Sequence, residues 1–232
     1  MVIGGIQKSS LIDYPGKVSC VLFLSGCNFR CPYCHNPELV TDTPPADDGV
    51  TPGEALEFLR TRRDFLDGVV ITGGEPTLAG DLPELCENIR RMDLSVKLDT
   101  NGSRPKAVRT LLEAGFVDYV AMDIKTDPCL YGKTPGLRCR PEEILESVSL
   151  IMSSAPDYEF RTTCVRPLVD DEVIKKTAGI IKGARRYALQ HFQGEKLLDP
   201  AFFAGTDPSY DQDGMERLRE AAAPWVKECL IR

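Results

Sequence analysis

The strongest constraint in this chain is a unit that recurs six times. A short apolar, β-branched run ends in polar or glycine residues, and a helix-start signal usually follows. The runs are 18–25, 68–72, 95–100, 118–124, 158–163 and 186–191. Val69-Val70-Ile71 shows the near-continuous hydrophobicity of strands covered on both faces, as parallel sheets are. Between the runs, Thr51-Pro52-Gly53-Glu54 reads as a capping box with proline at the first helical position. Asp81 stands three residues before Glu84, Ser103 precedes Arg104-Pro105, Gly115 suits a helix C′ position, and Asp170 opens a helix reaching Lys182-Gly183. Alternating β and α units of roughly 25 to 50 residues predict a parallel sheet with right-handed crossovers. Six units rather than eight predict an α/β fold of the partial TIM-barrel kind, an incomplete (β/α)6 barrel open on one side. The whole chain, 1–232, reads as one domain, with a barrel over about 16–200 and a helical tail over 201–232 whose helix spans about 214–226. The stretch 42–49, with two prolines and three aspartates, reads as a flexible loop.

Charge and composition narrow the partners. The net charge is −7, which argues against nucleic acid as partner. The two basic clusters, Arg60 with Arg62 and Arg63, and Lys182 with Arg185 and Arg186, read as solvated surface. No apolar run approaches the roughly 20 residues of a membrane span. Met1 to Lys8 lacks the features of a signal peptide. Nine cysteines, an odd count without a secretory signal, fit reduced thiols in a cytoplasm, some of them bound to metal.

In parallel β/α folds, ligands sit beyond the C-terminal ends of the strands. The unusual polar residues of this chain fall there, run after run. They are Cys27-Asn28-Phe29-Arg30-Cys31-Pro32-Tyr33-Cys34, Thr72-Gly73-Gly74-Glu75-Pro76, Asp99-Thr100-Asn101-Gly102, Asp123-Ile124-Lys125, Arg161-Thr162-Thr163 and Gln190-His191. Cys27, Cys31 and Cys34 put three thiolates on one short loop, near enough to hold one metal or cluster. A structural zinc normally takes four ligands. No second cysteine pair is present, and His35, adjacent to Cys34, would strain a tetrahedral site. Electron-transfer clusters usually use four cysteines. Three on a [4Fe-4S] cluster leave one iron open to an outside ligand, the logic that separates catalytic from structural metal sites. Cys20, Cys86, Cys129, Cys139, Cys164 and Cys229 show no ligand spacing and read as small buried hydrophobes.

The three-cysteine spacing, with an aromatic Tyr33 before the last cysteine and Gly73-Gly74-Glu75-Pro76 after the next strand, resembles the radical S-adenosylmethionine (SAM) superfamily. That resemblance implies an open iron that chelates the methionine end of SAM, and reductive cleavage to a hydrogen-abstracting 5′-deoxyadenosyl radical. Gly5-Ile6-Gln7, Leu11-Ile12-Asp13-Tyr14-Pro15-Gly16 and CNFRCPYCHNPEL narrow it to the activating proteins of glycyl radical enzymes, most like the long form that serves anaerobic ribonucleoside-triphosphate reductase. It covers about residues 4–200, and no cysteine-rich insert separates the cluster loop from Gly73.

The resemblance also implies roles. Cys27, Cys31 and Cys34 would hold the cluster. The backbone of Gly73 and Gly74 and the Glu75 carboxylate would accept from the methionine amino group. Tyr33, Asp99, Asn101 and Asp123 would line the SAM site, the two aspartates sharing a monovalent cation because paired carboxylates need a counter-charge. Lys125 would pair with the SAM carboxylate, His191 would hydrogen-bond SAM, and Arg161 would meet SAM or the partner's loop. Flavodoxin or ferredoxin would be the reductant. Read without the resemblance, Gly73 to Pro76 also suits a plain turn, the aspartates suit caps, and His191 suits a core position. Two other functions stay open at this level: a radical SAM enzyme acting on a small molecule, nucleoside or peptide, and a non-enzymatic iron–sulfur electron carrier.

Overall fold

The computed structural model describes residues 1–41 and 49–232, so the loop expected over 42–49 lies, but for Gly49, outside the described residues. Eight strands form a single sheet in sequence order: β1 Ile3–Ser10, β2 Ser19–Leu24, β3 Gly68–Gly73, β4 Ser95–Thr100, β5 Tyr119–Asp123, β6 Asp157–Cys164, β7 Tyr187–His191 and β8 Cys229–Ile231. Strands β2 to β8 run parallel, β2 to β7 matching the six repeated runs and β8 adding a strand in the stretch expected to be a helical tail, and β1 pairs antiparallel with β2. β1 and β8 are the two edges, so the sheet does not close. Both were invisible to periodicity. β1 is half exposed and carries two glycines, Gly4 and Gly5, near its start, and β8 has only three residues.

Six helices cross over between or follow the strands: α1 Pro52–Arg62, α2 Leu82–Arg90, α3 Pro105–Glu113, α4 Pro141–Ser154, α5 Asp171–Ile180 and α6 Gln212–Ala222. The Thr51–Glu54 capping box is present, Asp170 caps α5 through the Val173 amide, and Gly115 ends α3 at φ +68°. Two expected caps differ. Asp81 makes no cap bond, and Ser103 is buried and bonded to Asn28 and Asn101 instead. No helix of the described residues is long and apolar enough to cross a membrane.

Strand side chains alternate between two faces. Leu22, Ile71, Leu98, Met122, Phe160 and Leu189 point outward into one core with helix residues such as Leu85, Ile89, Val108 and Ile174. Each such side chain contributes roughly 1.5–3 kcal/mol by leaving water. The inner face is different. Val21, Val70 and Ala121 make a small cluster with Tyr14 and Tyr119, while β4, β5 and β6 present Lys97, Asp99, Asp123, Glu159 and Arg161 at the same parity. The inner wall is therefore charged where it approaches the C-terminal strand ends.

Candidate active site

One pocket opens at the C-terminal ends of the strands, and all six polar groups reach it. Its lining includes Cys27, Cys31, Tyr33 and Cys34 after β2, Thr72 to Gly74 at the end of β3, and Asp99 to Asn101 at the end of β4. Asp123 and Lys125 come from β5, Arg161 and Thr163 from β6, and Gln190 from β7.

The cysteine loop has little backbone regularity of its own and is held from four sides. The Gly26 amide donates to the Leu39 carbonyl at 2.8 Å, the Arg30 amide to Gly136 at 2.8 Å, and the Asp199 amide to Pro32 at 3.1 Å. Asn28 donates to Ser103 Oγ at 2.9 Å and accepts from Asn101 Nδ2 at 3.1 Å. The segment after β3 lies backbone to backbone against the start of this loop: Gly74 donates to the Leu24 carbonyl at 2.8 Å and Glu75 to Gly26 at 2.7 Å. Only glycine fits at 74, because a Cβ there would stand 2.1 Å from the Gly26 carbonyl oxygen.

Glu75 does not face the pocket. Its carboxylate is 2% exposed and turned inward, where it accepts from the Asn101 amide at 2.6 Å, Thr100 Oγ1 at 2.8 Å, the Thr77 amide at 3.1 Å and Thr77 Oγ1. Burial pushes its carboxyl up, against the pull of these bonds. The segment offers Thr72, Gly73 and Gly74 to the pocket, and the Glu75 carboxylate, expected to meet a ligand amino group, is bonded to the Thr100–Asn101 turn.

Below the mouth lies a ladder of five charges. Arg161 Nε bonds Asp123 at 2.6 Å and its Nη1 bonds Asp99 at 3.1 Å. Lys97 pairs with Asp99, and Lys125 Nζ donates to Asp123 at 3.0 Å. Burial raises both aspartates, but Arg161 and the lysines outweigh it and hold each below the usual carboxylate range. Burial alone would lower Lys125, and Asp123 reverses the sign and holds it well above the ordinary lysine value. Three cations against two carboxylates leave one positive charge in excess, the sign that suits an anionic ligand group. Arg161 lies between the two aspartates and pairs with both.

His191 lies beside the pocket lining rather than in it. Thr163 pairs with Gln190 in the β6–β7 ladder and both line the pocket, whereas Cys164 pairs with His191 one residue on. The two-residue period puts His191 on the opposite face, and Gln190 takes its place. Among the remaining cysteines Cys20, Cys86 and Cys164 are buried as expected, but Cys129 is exposed and Cys139 is half-buried, donating to Glu143 at 3.2 Å. Of the basic clusters, Arg186 is not free surface: it is bonded to Asp157, at 2.6 Å to Oδ1.

The donor set fits an iron–sulfur cluster. Among the described residues no three of His, Cys, Asp and Glu stand close enough to hold a single metal ion. Three thiols lining one cavity suit a cluster in which each thiolate takes its own iron. Burial pushes the Cys31 thiol up to about 12 and Cys27 to about 11, and raises Cys34. Loading therefore releases protons at neutral pH. Tyr33 is 3% exposed and lines the same cavity, and its buried hydroxyl has no hydrogen-bond partner among the described residues.

Comparison with known proteins agrees. The model of the radical SAM superfamily matches residues 21–178. A protein of Methanocaldococcus jannaschii, provisionally assigned as a glycyl-radical enzyme activating enzyme, is 33% identical over 242 residues, covering 100% of this chain and 95% of its own. The pyruvate formate-lyase-activating enzyme of Clostridium pasteurianum is 32% identical over 202 residues, covering 80% of this chain and 79% of its own. The crystal structure of Streptococcus suis SuiB bound to precursor peptide SuiA superposes with a TM-score of 0.68 at 16% identity over 90% of this chain. This chain spans 48% of that protein, and the likeness is one of fold.

Proposed function

The chain belongs to the radical SAM superfamily, oxidoreductases that work with a [4Fe-4S] cluster and S-adenosylmethionine, and from that premise we propose that it is the activating enzyme of a glycyl radical enzyme. The observation that carries this reading is the end-to-end likeness to the Methanocaldococcus protein, which includes the N-terminal stretch as well as the cluster loop. The finer reading is that the partner is anaerobic ribonucleoside-triphosphate reductase, with flavodoxin or ferredoxin as electron donor and the cytoplasm as the compartment. It rests on the segments 5–7 and 11–16.

In this reading Cys27, Cys31 and Cys34 hold the cluster, and the backbone of Thr72 to Gly74 receives the methionine amino group. The excess charge of the Lys97–Asp99–Arg161–Asp123–Lys125 ladder, with Lys125 at the mouth, receives the carboxylate. Tyr33, Asn101, Thr163 and Gln190 complete the walls. When bound, the reduced cluster and SAM supply the reductive cleavage and the hydrogen abstraction. The chain orients the reactants and limits water around them. The edges β1 and β8 do not meet and leave the sheet open, which suits entry of a peptide loop bearing the glycine.

The test is anaerobic release of 5′-deoxyadenosine from SAM by reconstituted, reduced protein, followed by electron paramagnetic resonance on candidate partners. Release together with a glycyl radical on the reductase is expected, and both should vanish in Cys31→Ala. Release without a radical on any glycyl radical enzyme would point to a small molecule, nucleoside or peptide as substrate. No release at all would return the chain to electron carriage.

A further inference from the structure

Asp99 and Asp123 end adjacent parallel strands and face one mouth, which is the setting that draws a small cation between two carboxylates. The residues do not leave that position free. Arg161, opposite on β6, lays its guanidinium across both, 2.6 Å from Asp123 and 3.1 Å from Asp99. All three side chains are largely withdrawn from water, at 24%, 13% and 13% exposure for Asp123, Asp99 and Arg161. A guanidinium has five donors spread over a fixed plane and can span two carboxylates on adjacent strands, where a lysine ammonium is a compact point charge. The other carboxylate bonds go to Lys97 and Lys125. Glu159, next on the inner face of β6, is taken by Arg232 at 2.9 Å and does not draw Arg161 away. Before a ligand binds, the ladder carries one positive charge in excess, which disfavours a further cation there.

We infer that Arg161 is a built-in counter-ion, and that this site takes its ligand without a monovalent cation. The role is one of positioning: Arg161 keeps the two aspartates together, and Lys97 and Lys125 hold their outer oxygens.

Two measurements test this on the full chain. The first needs no cluster and no SAM: urea unfolding of the apo protein in potassium, sodium or choline chloride at equal ionic strength. Wild type is expected to unfold at the same midpoint in all three. Arg161→Gln is expected to unfold later in potassium or sodium than in choline, because its two carboxylates then recruit an ion from solution. Adding Asp99→Asn to that variant should cancel the gain, since a single carboxylate has no need of a bridge. If Arg161→Gln does not fold, Arg161→Lys serves, its compact ammonium spanning the two aspartates less well and leaving a partial ion dependence.

The second measurement is SAM binding to the reconstituted protein, and this half rests on the reading of the pocket as the SAM site. Wild-type affinity should differ by less than about twofold between potassium and choline, and Arg161→Gln should bind at least about tenfold tighter with potassium or sodium, a difference of ~1.4 kcal/mol. A wild type that needs potassium or sodium overturns the inference. So does a variant as indifferent to the ion as wild type. A protein showing the expected pattern but making no glycyl radical would sink the activase reading and leave this one standing.

Discussion

Gly74→Ala offers the sharpest test of how the site is built, because one methyl group meets a rigid wall. A Cβ at 74 would sit 2.1 Å from the Gly26 carbonyl oxygen, 2.7 Å from its carbon and 3.0 Å from the Leu39 oxygen, all of them backbone atoms. The closest tolerated carbon–oxygen approach is ~3.3 Å, so the two segments must part by ~1.2 Å. The bonds from Gly74 to Leu24 and from Glu75 to Gly26, now 2.8 and 2.7 Å, would stretch to about 4 Å and be lost. Two backbone hydrogen bonds at about 1 kcal/mol each, with about 1–3 kcal/mol of overpacking, predict a loss of about 3–5 kcal/mol. For a chain of this size that is a fall in melting temperature of roughly 6–20 °C. Gly80→Ala is the control, since nothing lies within 4 Å of its added Cβ. Urea unfolding of the apo protein reads the difference, and iron content after reconstitution reads the displacement of Cys27. A Gly74→Ala protein within about 1 kcal/mol of wild type would show that the two loops are not in backbone contact.

Three further outcomes are expected. Glu75→Ala strips acceptors from the Asn101 and Thr77 amides and from Thr100 Oγ1, and should cost about 3–5 kcal/mol in urea unfolding, where a solvent-facing ligand residue would cost under 1. Gln190→Ala should weaken SAM binding to the reconstituted protein while His191→Ala leaves it unchanged, and the reverse order would mean the β7 register is wrong. In apo protein, Asp99 and Asp123 have folded pKa values below their unfolded value of about 3.9, so the stability they contribute is present above that pH and lost as pH falls through the folded values. Asp123→Asn should therefore flatten the decline in urea midpoint below about pH 4, and an unchanged acid limb would count against the ladder.

The six repeated runs located β2 to β7 and the groups at their mouths because a buried parallel strand must be apolar throughout and its end need not be. β1 and β8 escaped because an edge strand is only half buried and leaves a weak pattern. Within the site, residue type was legible and side-chain direction was not. Gln190 and His191 are neighbours that differ only in parity, and parity depends on where β7 begins in the ladder. Glu75 and Arg161 were obscure for another reason: their partners lie 25 to 62 residues away, on strands whose register no local signal sets.

The ties on the cysteine loop bear on when iron can be delivered. All three thiols have been synthesised by residue 34, yet the loop is held by Ser103, Gly136 and Asp199. A nascent chain with 60 residues outside the ribosome has every sulfur and no site. The loop gains its last described anchor only when most of the barrel is made, so its folded form comes late in synthesis. A delivery factor that needs the folded loop would meet a nearly finished domain rather than a growing peptide.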